Sequence, residues 1–264
     1  MSSPRHPSVA SLVAEAEAPG TTTARLAELA RHPSAMVRQT VAEHPALDDA
    51  TVLLLARDAK ELVRGTAASN AWRRPGVEAK LAASEHRWVR AVLAHTYARD
   101  PGRSLRRETQ HVLAHDSFRE VRVRTAETTS WRDLFDLLLA DAEPFVRSAC
   151  AGNPRATRDD VERLLGDRSA TVRTAAADRA PNLRFPDREQ TIRAARDRSR
   201  FVRSVALDRG VAWPEVTRLL VDDPDELVRR AAREVVEGGP DVAARVERFR
   251  RAEGLRPAQP TFDG

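Results

Sequence analysis

Apolar residues in this chain recur at spacings of three and four, in short bursts separated by turn residues. In the segment 21–45, Leu26, Leu29 and Ala30 follow that spacing, His32-Pro33 interrupts it, and Val37, Val41 and Ala42 resume it. The pattern predicts two short helices joined by a tight turn. Farther along it predicts helices over 133–140 and 145–152, with a break at 141–144 and a stop at Asn153-Pro154. No stretch keeps the strict alternation of a strand.

The bursts are copies of one unit. The dipeptide Val-Arg recurs with its arginine at 38, 64, 90, 122, 147, 173, 203 and 229, and successive spacings of 26, 26, 32, 25, 26, 30 and 26 define a period of 26 with insertions after the third and sixth copies. Valine always precedes the arginine: Val37, Val63, Val89, Val121, Val146, Val172, Val202 and Val228. Nine residues before it stands leucine (Leu29, Leu55, Leu81, Leu113, Leu138, Leu164, Leu220), with Ala194 in the seventh copy. These two columns predict the core. Four residues after it stands alanine (Ala42, Ala68, Ala94, Ala126, Ala151, Ala177), then Leu207 and Arg233, and a small side chain there suits the close approach of stacked helices. Helices of two or three turns are marginal alone, so each pair must bury its face against the next. The expected fold is an all-α solenoid of about eight short helix pairs.

Six residues before the arginine the chain carries Asp58, Asp116, Asp141, Asp167, Asp197 and Asp223, with His32 and Ser84 as the exceptions. An acid in the turn between two helices accepts from the N–H groups that open the second helix. It also pairs with the arginine one turn in, of its own or of the adjacent repeat. The expectation is a structural ladder built from Asp58, Arg64, Asp116, Arg122, Asp141, Arg147, Asp167, Arg173, Asp197, Arg203, Asp223 and Arg229.

The acid-to-arginine spacing across an inter-helix turn resembles that of HEAT repeats. The short period and the segments 37–45 (VRQTVAEHP) and 146–154 (VRSACAGNP) are similar to the variant leucine-rich repeat of bacterial proteins. The resemblance covers residues 21 to about 237. It implies a right-handed superhelix of helix pairs in which the second helix is short or 3₁₀-like. Some variant leucine-rich proteins carry a cysteine-rich iron-sulfur segment before the repeats; this chain lacks those cysteines, so no cofactor is carried over. Around the repeats, residues 1–20 read as an N-terminal capping segment with a helix over 8–17. Residues 238–253 read as a C-terminal capping helix and 254–264 as a disordered tail.

Composition narrows the chemistry. The one cysteine, Cys150, is incompatible with an internal disulfide framework, a thiolate zinc site or an all-cysteine cluster, and a reducing, cytoplasmic setting is expected. Cys150 sits three residues after the arginine, in a column of small and apolar residues, and reads as core filler. No run is apolar enough to span a membrane. The seven histidines are scattered; His111 and His115 share a helix face without an acidic ligand beside them in sequence, so no metal is expected. There is no Gly-rich phosphate loop, nucleophile elbow or zinc-protease motif. The alkylpurine DNA glycosylases also use HEAT-like helix pairs, and this chain has Trp131 and Asp133 close together, but that family's motif does not align here and the comparison stays at fold level.

Two features address a partner. Five residues after the arginine the chain reads Glu43, Ser69, His95, Glu127, Gly152, Asp178, Asp208 and Glu234, a row poor in positive charge and unsuited to wrapping DNA. The connections between repeats instead mix arginine with aromatics: Trp72, Arg73 and Arg74; Tyr97, Arg99, Arg103, Arg106 and Arg107; Trp131 and Arg132; Arg179, Arg184, Phe185 and Arg188. These form a candidate partner-binding edge. Arginine interleaved with aromatics stacks bases and binds phosphate, or grips an acidic protein surface. The composite expectation is a non-enzymatic scaffold for a protein partner, with a nucleic-acid binder or glycosylase-like enzyme as the alternative, and no small-molecule substrate.

Overall fold

The computed structural model describes residues 7–71, 74–96, 105–178, 187–210 and 213–238. Among them it places seventeen α-helices and no strand, in two compact units divided at Leu138/Leu139. The expected C-terminal capping helix beyond Gly238, the tail, and residues 97–104 and 179–186 of the two insertions fall outside the described residues.

The first unit opens with α1 (Val9–Glu17) and continues with α2 (Thr23–Leu29) and α3 (Ala35–Glu43), α4 (Asp49–Leu55) and α5 (Glu61–Ser69), α6 (Pro75–Ala82) and α7 (Arg87–Thr96), α8 (Arg107–Ala114) and α9 (Arg119–Thr128), and α10 (Arg132–Leu139) at the division. Second helices pack on second helices, α3 on α5, α5 on α7 and α7 on α9, while α4, α6 and α8 form the other layer. The second unit repeats this with α11 (Pro144–Gly152), α12 (Arg158–Leu165), α13 (Ala170–Ala177), α14 (Arg188–Ala194), α15 (Arg200–Gly210), α16 (Pro214–Leu220) and α17 (Glu226–Val236). There α11, α13, α15 and α17 stack in sequence, as do α12, α14 and α16. The structure is an α-solenoid of helix pairs.

The columns read from the sequence are its core. All eight valines, the seven leucines and Ala194 are buried, and Ala42, Ala68, Ala94, Ala126, Ala151 and Ala177 lie with them. Leu207 continues the small column inside the core, whereas Arg233 is exposed and turns to Asp222 and the Val221 carbonyl. Helix α1 packs on α2 and α3 and buries Leu12 and Ala16. Ala16 lies one period before Ala42, so α1 takes the place of a second helix ahead of the first repeat.

First helices start where side chains cap them. Thr22, Asp48, Thr157 and Asp187 each accept the N–H three residues on, and Thr157 with Asp160 and Asp187 with Gln190 form reciprocal capping boxes. Pro75, Pro144 and Pro214 open α6, α11 and α16, where a missing N–H costs nothing. The second helices are α-helical and run to 8–11 residues, longer than the short or 3₁₀-like element the resemblance implies. Valine, the residue three after the arginine and the alanine column all face inward across six residues of one helix, a spacing of four and five that suits the 3.6-residue turn of an α-helix and not the three-residue turn of a 3₁₀ helix.

Candidate partner-binding surface

The turn between the helices of a pair is organised by the repeated arginine. In each copy its Nη1 donates to the main-chain carbonyl six residues back, as Arg38 does to His32, Arg64 to Asp58, Arg122 to Asp116 and Arg173 to Asp167 at 2.7–2.9 Å. With that edge of the guanidinium committed to its own turn, Nε and Nη2 face the next turn. They close a bidentate pair on the following repeat's aspartate: Arg38 on Asp58, Arg90 on Asp116, Arg147 on Asp167, Arg173 on Asp197 and Arg203 on Asp223. Of the two pairings the sequence left open, the carboxylate therefore goes to the adjacent repeat and only the carbonyl to the arginine's own. Arg64 does not hold the carboxylate of Asp58, because Arg38 occupies it.

The same aspartates fix the turn itself. Oδ1 accepts the N–H two residues on, from Lys60, Phe118, Glu143, Ser169, Ser199 and Asp225 at 2.7–2.8 Å. His32 and Ser84 perform that one task with Nδ1 and Oγ, accepting from Ser34 and His86. The register of α1 explains His32: one period before Arg38 stands Leu12, so no arginine arrives to need a carboxylate.

On the opposite edge, where one repeat connects to the next, Asn70 donates to the Ala42 and His44 carbonyls, and the His44 ring reaches the Ala18 carbonyl. Four of the five described arginines of the candidate edge are engaged there through their side chains. Arg74 holds Asp49 and the Leu47 carbonyl, Arg107 holds Asp133, Arg132 holds Asp136 and Arg188 holds Glu215. The backbone N–H of Arg106 approaches buried Glu78, whose carboxyl is pushed up by that burial. Trp131 is 40% exposed. Trp72, Arg73, Tyr97, Arg99, Arg103, Arg179, Arg184 and Phe185 lie outside the described residues. Paired arginines offer little charge to a phosphate backbone, so the described part of this edge is a weak electrostatic platform.

A different surface carries the unusual chemistry. The residue directly before each valine reads Met36, Leu62, Trp88, Glu120, Phe145, Thr171, Phe201 and Leu227. Its six large apolar members are 48–63% exposed, although the next residue in every case is buried. One step along a helix turns about 100°, which carries the side chain from the core to the solvent face. The first unit thus displays an apolar column along α3, α5 and α7, formed by Met36, Leu62 and Trp88; in the second, Phe201 and Leu227 adjoin on α15 and α17, and Phe145 on α11 is set apart from them by Thr171 on α13. Exposed apolar groups on adjoining helices, as along α3, α5 and α7, mark interaction surfaces far better than isolated ones.

Seven residues farther on, two helical turns along the same face, stands the acidic row. Glu43, Asp178, Asp208 and Glu234 are exposed and Glu127 is half-buried. The residue before the valine passed unremarked in the sequence, though six large apolar side chains beside an invariant buried valine were a usable signal. Among the described residues there is no cluster of histidine, cysteine and acid able to hold a metal, and no helix long and apolar enough to cross a membrane. His111 and His115 sit with ring centroids 4.5 Å apart.

No family model and no curated protein sequence matches the chain. Among solved structures, a leucine-rich repeat variant with a novel repetitive structural motif is similar at TM-score 0.53 and 22% identity, with 80% of each chain covered. A computationally designed armadillo repeat protein for modular peptide recognition matches at TM-score 0.27 and 15% identity over 86% of this chain and 91% of that one. An archaeal HEAT-like repeat protein from Thermococcus onnurineus matches at 0.28 and 12%, over 89% and 92%. The first of these likenesses is one of fold.

Proposed function

From the fold it shares with a leucine-rich repeat variant, we propose that this protein is a non-enzymatic repeat scaffold that binds a partner protein. The partner contributes a segment carrying large apolar side chains flanked by lysine or arginine. One observation carries this reading: the exposed apolar side chains of Met36, Leu62 and Trp88, and of Phe145, Phe201 and Leu227, with Glu43 two turns along from the first group and Asp208 and Glu234 two turns along from Phe201 and Leu227. Apolar side chains supply the buried area of such an interface, and the carboxylates select the sign of its rim.

Selection from a displayed peptide library tests it. The expected winners combine apolar and basic residues, and Leu62→Ser with Trp88→Ser, or Phe201→Ser with Leu227→Ser, weakens their binding at least about tenfold without unfolding the protein. Enrichment of acidic peptides, or binding indifferent to both double variants, overturns it. Anisotropy of labelled DNA and RNA at low and raised salt is the counter-test: tight binding with a steep salt dependence moves the function to the arginine edge.

A further inference from the structure

In the second unit the turns between paired helices stack in order, because each ladder arginine reaches the next turn's aspartate. Two neighbouring turns differ from the rest in charge. The residue directly after the ladder position is arginine in the sixth and seventh copies alone, as Arg168 and Arg198; elsewhere it is proline, alanine, serine or Glu85. Arg196 adds a third guanidinium to the same pair of turns. All three residues are exposed, and none forms an ion pair among the described residues. Arg198 Nη2 donates to the Arg168 carbonyl at 3.2 Å, which lays this side chain across the gap from one turn to the other.

The three arginines line one groove. It encloses about 570 Å³ between residues 165–168 and 193–198, and Arg193 from α14 joins Arg168, Arg196 and Arg198 in its wall. Gly166 leaves room for Arg193, since a Cβ there would lie 3.4 Å from its Nη2. The acids of the groove are already committed. Asp167 holds Arg147 and Asp197 holds Arg173, each through both carboxylate oxygens, and each also accepts the N–H of its own turn. Glu162 holds Arg193. Arg168, Arg196 and Arg198 are left as uncompensated charge.

That charge ends at this pair of turns. The turn before it, 140–144, carries Asp141 and Glu143, the turn after it, 221–225, carries Asp222, Asp223 and Asp225, and neither holds a basic residue. A nucleic-acid strand crossing several turns would meet carboxylates on both sides, whereas a compact anion held within the groove would not. A planar carboxylate is satisfied by one guanidinium fork, as the ladder shows. Three guanidinium groups suit a tetrahedral dianion with more acceptor oxygens.

We propose that this groove binds a single phosphate monoester group, with Arg168, Arg196 and Arg198 donating to its oxygens. Two sources carry that group, a small phosphorylated molecule and a phosphorylated side chain of a peptide. The site uses none of the apolar residues on which the proposed protein partner rests, so the failure of one leaves the other standing.

The test follows the backbone N–H resonances of Gly166 and Arg196 in the full chain during titration with methyl phosphate, with N-acetyl-phosphoserine amide and with N-acetyl-aspartate amide. Ionic strength is held constant at about pH 7.5, where a monoester is a dianion. The expected result is a shift with either phosphate that saturates in the millimolar range. Arg168→Gln with Arg198→Gln weakens it at least about tenfold, the loss of two charged hydrogen bonds. Arg155→Gln with Arg218→Gln, equal in charge and outside the groove, leaves it unchanged. Tighter saturation by the phosphoserine probe supports a phosphorylated peptide, and tighter saturation by methyl phosphate supports a small molecule. A shift that never saturates, equal weakening by the two double variants, or equal affinity for the aspartate probe overturns the proposal. Should the first double variant fold poorly, Arg196→Gln decides, because unchanged affinity in that variant is equally fatal.

Discussion

Arg147 donates from Nε and Nη2 to both carboxylate oxygens of Asp167, at 2.7 and 3.0 Å, across twenty residues of sequence. Only 7% of the arginine side chain and 12% of the aspartate side chain meet solvent. Forming such a pair brings little net stability, since both ions must be desolvated, but removing one partner strands the other. Asp167→Ala should therefore destabilise by about 3–5 kcal/mol. Exposed Asp159, by contrast, should tolerate alanine to within about 1 kcal/mol. Urea midpoints for the two variants decide the matter, and equal midpoints would refute the ladder.

The ladder also predicts acid lability. Hydrogen bonds from Arg38 and Arg203 hold the Asp58 and Asp223 carboxyls below their ordinary range. For Asp167 and Asp197 burial pushes the other way, yet the guanidinium and the turn N–H still leave them lowered. A carboxylate depressed in the folded state contributes stability that is complete above its unfolded pKa of about 3.9 and is lost as pH falls through the folded value. The melting temperature should be flat from about pH 7 to 5 and fall steeply below about pH 4. A curve flat into strong acid would contradict the paired carboxylates.

Helical periodicity made the core legible, because a helix buries one face and a repeat buries the same face each time. Val37 and Leu29, like their counterparts in the later copies, are core for that reason. The direction of the ladder was not legible. Asp58 lies six residues from Arg64 and twenty from Arg38, and the choice turns on which edge of each guanidinium is already occupied by carbonyls. The exposed apolar column was hidden for a related reason. Met36, Leu62 and Phe201 are core residues by type, and only their place one step before a buried valine puts them outside. On the connecting edge, pairing of Arg74 with Asp49 and of Arg107 with Asp133 joins residues 25 or 26 apart, which composition does not reveal.

Cys150 should be inert while the protein is folded. Its thiol is fully buried, lies 3.6 Å from the Val146 carbonyl, and has its pKa pushed up to about 12, chiefly by burial. The thiolate is the reactive form, so a disulfide reagent at neutral pH should react with native protein at least about a hundredfold more slowly than with protein in denaturant. Equal rates would mean that α11 is not packed as described.

Leu62 and Leu55 separate binding surface from core most cleanly. They share a side chain and sit in consecutive helices, but Leu62 is 62% exposed on α5 whereas Leu55 is 1% exposed on α4. Leu55→Ala removes three buried carbons and leaves a cavity, at a cost of about 2–5 kcal/mol. Leu62→Ser removes apolar area that already faces water, and its cost should stay within about 0.5 kcal/mol. An apolar side chain that folding does not need is the expected signature of a docking face. Thermal melts of the two variants measure the contrast, and a Leu62→Ser loss approaching that of Leu55→Ala would return the apolar column to the core and remove the basis for a partner there.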